Sequence, residues 1–287
     1  MYVTPRHFTE HLEVIRKYGQ PTHLADLTEA LSGGKRPHRM VVVTFDDGYA
    51  DNLLVAKPLL ERYDIPATFF VISGGANQKR EFWWDELDRL LLEPGMLPGT
   101  LDLSINGSRY RWELNGATYY GDDERQRNRH WKMSDPEADD PGPRQRLFRA
   151  LYKLLLPLSE EERWKVLDEL SAWADAEPVI RPTHRALSAN EVIDVARGGL
   201  IEVGAHTVTH PMLADHSAAV QHREIRQSKN DLEDILGQPV SSFAYPHGSH
   251  TTETAALVRE IGFTSACSTR VGVVWRGADR FSLPRIW

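Results

Sequence analysis

The chain has 287 residues, of which 41% are hydrophobic and 26% charged, with a formal net charge of -7. That length accommodates one large domain or two small ones around a sizeable core. The mildly acidic balance argues against a nucleic-acid partner held by phosphate neutralisation. The one cysteine, Cys267, has no internal disulfide partner. Set in the run 262–267, it reads as a small buried apolar residue rather than a nucleophile. No apolar signal core follows Met1, and no apolar run is long enough to span a bilayer, so a cytoplasmic protein without a membrane span is expected.

Taken in chain order, residues 5–18 carry Phe8, Leu12, Ile15 and Tyr18 at helical spacing. A short helix is expected over 25–31, closed by Gly33-Gly34. The basic turn 35–39 leads into an apolar strand over 40–45, which runs straight into Asp46-Asp47-Gly48. A helix over 51–63 is broken by Asp64-Ile65-Pro66, and 67–72 is a second buried strand. This strand-helix-strand order predicts a βαβ unit and a parallel sheet.

The next hundred residues break that rhythm. A helix opens at Phe82-Trp83-Trp84-Asp85, and the alternating runs 101–107 and 110–114 predict a β-hairpin. The polar, proline-bearing stretch 121–143 reads as a long loop. Two helices follow, over 145–156 and 159–174, the second opened by a Ser159/Glu162 capping box. The α/β pattern then resumes. Helix 188–197 carries its own Ser188/Glu191 box, and strand 200–204 leads to His206-Thr207-Val208-Thr209-His210. Helix 221–236 is closed by Gly237, strand 240–245 follows, then helix 252–261, strand 263–268 and a last strand over 280–287. The expected architecture is one α/β domain over 1–287, a parallel barrel interrupted by a mostly helical insertion at about 78–183.

The chemistry concentrates in two fragments. Asp46-Asp47-Gly48 and His206-xxx-His210 supply two carboxylates and two imidazoles, each set at a predicted strand exit. A catalytic zinc takes about three protein ligands and leaves one place for water. His206 and His210 are four apart, so one helical turn would bring both rings to one side. Asp47 would complete the ligand set, leaving Asp46 as a base toward an acidified water. Taken singly, Asp-Asp-Gly is a plain turn signal, and two histidines four apart are as readily a surface pair.

Thr44-Phe45-Asp46-Asp47-Gly48 together with His206-Thr207-Val208-Thr209-His210 resembles the polysaccharide deacetylase family, carbohydrate esterases that include chitin and peptidoglycan deacetylases. Tyr49-Ala50-Asp51-Asn52, Pro66 to Val71 and Phe243-Ala244-Tyr245-Pro246-His247-Gly248 match further family motifs in order, so the resemblance covers about 40–72 and 186–287. Phe82-Trp83-Trp84-Asp85 resembles a branch found with glycan-assembly enzymes. The resemblance implies a distorted (β/α) barrel and a divalent metal, zinc first with cobalt, nickel or manganese as alternatives. It also implies hydrolysis of an acyl group, usually acetyl, from an amino sugar. By position it makes Asp46 the base and Asp47, His206 and His210 the metal ligands, with a backbone N–H near His247 as oxyanion donor.

Two departures stand out. Ala244 lies where the family often has the arginine that orients the base, and Leu283-Pro284-Arg285 stands where a late Leu-x-His often supplies the general acid. Arg285 is the candidate to hold Asp46 in place of the missing arginine, and His247 the candidate acid. A loop histidine that only shapes the site and a core-edge arginine are the plainer readings of the two. His184 reads as an exposed loop residue. Trp83, Trp84, Trp112 and Tyr119 are either a sugar platform or the insertion's own core, and 122–140 is a disordered loop or a lid. The expected function is metal-dependent removal of an N-acetyl or N-formyl group from an amino sugar in a glycan, or in a nucleotide- or lipid-linked precursor. The alternative is a non-catalytic carbohydrate binder on the same scaffold. The insertion's helices could also form a homodimer contact.

Overall fold

A computed structural model describes residues 3–34, 38–78, 80–133 and 135–286. The chain divides into two compact units, residues 1–79 with 185–287, and residues 80–184.

In the first unit six parallel strands form one sheet. From edge to edge the order is Leu283–Arg285, Ser265–Val271, Ser242–Ala244, Ile201–Ala205, Ala67–Val71 and Val43–Phe45. Period-two alternation sends side chains to both faces of the sheet, and the central strands Ala67–Val71 and Ser242–Ala244 are buried on both. Phe69, Val71, Val203, Ala205, Phe243 and Tyr245 pack with Leu60, Val192, Ile225 and Val258 from the surrounding helices. Each fully buried side chain of that size contributes roughly 1.5–3 kcal/mol. Phe70, Ala244, Cys267 and Leu283 face the other way, onto Leu24 and Leu27 of helix Leu24–Ser32. Cys267 is therefore core, and burial pushes its thiol up to about 12, which leaves no thiolate for nucleophilic chemistry.

The expected 40–45 strand is two pieces. Met40–Val41 pairs in parallel with Gln20–Pro21, a strand the periodicity did not reveal, and only Val43–Phe45 joins the main sheet. The expected 51–63 helix begins with a π-turn at Asn52–Ala56 and becomes α-helical at Lys57–Tyr63. Pro58, lacking an N–H, sits at the change of pitch. Helices Pro5–Tyr18, Ala189–Ala196 and Thr252–Glu260 lie close to where their patterns put them. Ala218–Leu236 starts a turn earlier than expected. The last strand is Leu283–Arg285. Of the expected basic turn, residues 35–37 lie outside the described residues, as does residue 287 of the last strand.

The second unit has its own core, built on Trp83, Leu87, Leu91, Leu151, Leu167 and Leu170. Hairpin Thr100–Ile105/Ser108–Glu113 turns at Asn106-Gly107 with φ of 50° and 75°, the doubly left-handed two-residue turn that Asn-Gly favours. Helix Glu160–Trp173 opens with the Ser159/Glu162 capping box. The stretch expected as a loop holds helix Asp122–Asn128 and a short 3-10 turn, Glu137–Asp139. It is anchored by Asp140, which accepts from Trp131 Nε1 at 2.8 Å and from Arg149. Trp83 is buried and Trp84 and Trp112 pack on this core, whereas Tyr119 is exposed. His184 belongs to this unit and is half-buried rather than exposed. Burial, then the charge of Arg181, holds its pKa below the usual imidazole value.

Candidate active site

Every side chain singled out from the two fragments and the late motifs leaves the sheet at the carboxyl end of a strand. Val43–Phe45 delivers Asp46 and Asp47, Ile201–Ala205 delivers His206 and His210, and Ser242–Ala244 delivers His247. Arg285 ends the last strand. This is the end at which open and closed parallel sheets present their chemistry, because the loops there are not needed to build the core.

The Asp46/Asp47 turn depends on left-handed backbone at Asp47 (φ 73°) and Gly48 (φ 78°). It is held by Leu187 N–H donating to Gly48 O and by an antiparallel bridge between Tyr49 and Ala186. That conformation aims the adjacent carboxylates in different directions. Asp47 Oδ1 lies 3.4 Å from both His206 Nε2 and His210 Nε2. Asp46 instead receives a bidentate pair from Arg285, at 2.7 Å from Nη1 and 2.8 Å from Nη2.

Helical spacing does not bring the histidines together. Residues 206–210 form an irregular turn in which Thr207 (φ 63°) and His210 (φ 57°) are left-handed. The two rings then stand with centroids 4.9 Å apart. A helical turn would need right-handed angles throughout, and the loop must instead reverse direction within one residue of a strand end.

The donor set fits a divalent cation. His206 Nδ1 lies 2.8 Å from Ala244 O, a pure acceptor, so that nitrogen carries the hydrogen and Nε2 presents its lone pair toward Asp47. A separation of 3.4 Å is long for an N–H···O bond. It matches two donors each about 2.05 Å from one tetrahedral centre, which lie about 3.3 Å apart. One ligand atom from each of Asp47, His206 and His210 falls within 4.8 Å of the others. Burial pulls the His206 pKa down, but Asp47 and Asp46 outweigh it and hold the ring above its ordinary value. The cluster thus attracts positive charge.

Burial also works against ionising Asp46, yet His206 and Arg285 keep its carboxyl below the usual carboxylate range. Arg285 is fixed as well as charged. Its Nε donates to Ser268 O at 3.0 Å, opposite an irregularity in the register between Ser265–Val271 and Leu283–Arg285. Among the described residues the backbone ladder ends at Val43–Phe45 on one side and Leu283–Arg285 on the other. The Arg285–Asp46 pair, with Arg285 Nη1 also reaching Thr44 Oγ1 at 3.4 Å, joins these two edges through side chains. His247 is exposed, has a left-handed backbone (φ 56°), and its ring centroid lies 4.5 Å from that of His210.

Sequence patterns missed the residues that hold the histidine loop. Glu224, Ser73 and Gly74 contact it from elements far away in the chain, and each reads in isolation as an ordinary helix or turn residue.

Comparison with known proteins completes the description. YxkH of Bacillus subtilis (strain 168), provisionally named a polysaccharide deacetylase, is 29% identical over 90 residues, or 31% of this chain and 32% of that protein. The chain thus matches about a third of that relative's length. Two solved structures share the fold over 99% of this chain. One is IcaB from Ammonifex degensii (TM-score 0.58, 18% identity, 83% of that chain). The other is the Streptococcus pyogenes deacetylase PplD in complex with acetate (TM-score 0.54, 19% identity, 80% of that chain). Both have the distorted (β/α) barrel to which the six-stranded sheet corresponds. The polysaccharide deacetylase family model matches residues 33–96 and 152–266. That is more than half of the chain and includes the aspartate turn, the histidine loop and the 243–248 segment, and the chain belongs to the polysaccharide deacetylase family.

Proposed function

We propose that the protein is a metal-dependent hydrolase that removes an N-acetyl or N-formyl group from an amino sugar. The observation that carries this reading is the division of labour between adjacent carboxylates. Asp47 converges on two imidazoles, while Asp46 is gripped on both oxygens by Arg285. A binding protein has no need of that second, separately oriented carboxylate. All these groups come from the unit of residues 1–79 and 185–287, so we read 78–183 as an insertion into one catalytic domain.

Asp47, His206 and His210 would hold the cation, with zinc favoured by two nitrogens and one oxygen in a compact set. When bound, such a cation supplies Lewis-acid polarisation of an acyl carbonyl and lowers the pKa of water. The chain's own groups do the rest. Asp46 accepts the proton of the attacking water, and Arg285 fixes the carboxylate's direction during that transfer. His247, exposed beside His210, would return a proton to the departing amine as the C–N bond breaks, giving the free amino sugar and a carboxylic acid. The exposed loop position of His247 suits contact with a sugar.

The test is Asp46→Asn assayed against a panel of N-acetylated and N-formylated amino sugars, with release of acetate or formate measured directly. Turnover should drop by about 10²–10⁴-fold, the usual worth of a positioned base, while zinc binding stays. The alternative, a carbohydrate binder, draws on Arg285 standing where relatives carry an acid histidine. It gains if neither acid appears with any sugar while both forms bind glycan equally.

A further inference from the structure

The loop that carries both histidines has an uncommon backbone, spanned within itself by His210 N–H donating to Thr207 Oγ1 at 3.0 Å. Two of its five residues, Thr207 and His210, are left-handed and neither is glycine. Thr207 is β-branched, which makes that conformation costlier still. The surroundings must over-determine it. From one side, Ser73 N–H donates to Thr207 O and Gly74 N–H to Val208 O, each at 3.1 Å. A Cβ at Gly74 would lie 2.5 Å from that Val208 oxygen, so the approach needs glycine. From another helix comes the side chain of Glu224, in Ala218–Leu236.

Glu224 is 8% exposed. Its Oε2 accepts from Val208 N–H and Thr209 N–H, both at 3.0 Å, and its Oε1 accepts from Thr209 Oγ1 at 3.1 Å. Three donors on two successive residues thus converge on one buried carboxylate. Such charge-assisted bonds are about twice as strong as neutral ones. The residues they grip lie between His206 and His210, so the clamp sets the separation of the two rings. Glu224 touches neither Asp46 nor Asp47 through any of these bonds.

We propose that Glu224 is a positioning residue for the cation site: it fixes the 206–210 loop in its ligating shape before a cation arrives, and so sets the affinity of Asp47, His206 and His210 for it. The inference rests on the metal-site reading above. Without Glu224, part of the binding energy would go into ordering the loop, and apparent affinity would fall by the fraction of chains no longer in the competent shape.

The experiment compares wild type, Glu224→Ala, Glu224→Gln and, as a control on the same helix, Glu233→Ala. Glu233 likewise accepts a backbone N–H, from Val240 at 2.9 Å, but away from the histidine loop. Zinc affinity is measured by competition with a chromophoric chelator, and amide exchange of residues 206–210 is followed in the metal-free proteins. Glu224→Ala should bind zinc about 10–100-fold more weakly, the range for partners that orient metal ligands. Its Val208 and Thr209 amides should exchange at least about tenfold faster than in wild type. Glu224→Gln keeps an acceptor for both N–H groups but loses the charge, so its loss should be smaller than that of Glu224→Ala, and Glu233→Ala should stay near wild type. Wild-type affinity and exchange in Glu224→Ala overturn the proposal while leaving the metal site intact, and so does an equal loss of affinity in Glu233→Ala. If wild type itself binds no zinc, the metal-site reading falls and this proposal with it.

Discussion

The buried arginines of the second unit and the site around Asp47 treat charge in opposite ways. In the unit of residues 80–184, Arg144, Arg149 and Arg181 are met by close partners. Arg144 donates to four backbone carbonyls, of Leu91, Gly95, Ala117 and Thr118, at 2.7–3.0 Å. Arg149 forks onto Asp140, which also receives Trp131, and Arg181 forks onto Glu81. Around Asp47 the separations are instead 3.4 Å, and three groups with lone pairs converge on one small volume. The first pattern spends its hydrogen-bonding capacity on holding loops to helices. The second keeps capacity directed at a point. Buried charge by itself therefore says little about function, and the lengths and convergence of its contacts say more.

The contrast can be broken experimentally. The largest effect should come from His210→Ala. Lewis-acid assistance is worth several kcal/mol, so turnover should fall by about 10³-fold or more, and the loss should match that of wild type treated with chelator. Residual activity well above the chelated wild type would show that the converging groups do not act through a cation. On the other side of the comparison, Arg149→Ala strands Asp140 in a buried position and should cost about 3–5 kcal/mol in denaturant unfolding. Zinc affinity of the folded protein should be unchanged. Replacing the pair together, Arg149→Met with Asp140→Leu, should recover most of that loss. A change in zinc affinity there would mean that the saturated charges are not purely structural.

A smaller effect is expected at the seam of the sheet. Arg285→Lys keeps the charge but loses the planar fork that grips both Asp46 oxygens. We expect kcat to fall about 10–100-fold with KM nearly constant, and zinc affinity to be retained. A rise in KM alone would make Arg285 a substrate contact instead. The smallest effect concerns Glu191, which Arg185 and then Ser188 hold down at about 2, well below the usual carboxylate range. A depressed carboxyl stabilises the fold above its unfolded value, and that contribution fades as pH drops through the folded one. The stability gap between wild type and Glu191→Gln in denaturant unfolding, about 1 kcal/mol as for a lost cap, should be full above about pH 4.5. It should close toward pH 2. A gap independent of pH over that range would assign the stabilisation to packing rather than to the ionised carboxylate.

Much of the chain was legible from local pattern. Helical spacing located Pro5–Tyr18, and capping boxes located the starts of Glu160–Trp173 and Ala189–Ala196. Asn106-Gly107 marked the hairpin turn. These signals are local because a cap or a tight turn is made by residues three or four apart. The 121–143 stretch reads as a loop from composition, whereas its order comes from Asp140 meeting Trp131 and Arg149, a tertiary arrangement around polar residues. The π-turn at Asn52–Ala56 and the strand Gln20–Pro21 escaped notice for a similar reason: two to five residues carry too little periodicity.

By itself the sequence determined the order of the main strands, the starts of the capped helices, and that two carboxylates and two imidazoles stand at strand exits. Only the tertiary structure decided how those groups meet. Four-residue spacing pointed to a helical turn for His206 and His210, whereas the strained, left-handed loop gripped by Glu224, Ser73 and Gly74 sets their distance. Which arginine faces Asp46 was likewise settled by the curl of the sheet, which carries its last strand to its first. Hydrophobic period and capping are properties of neighbouring residues, but the direction of a polar side chain at a strand end depends on what the rest of the chain packs against it.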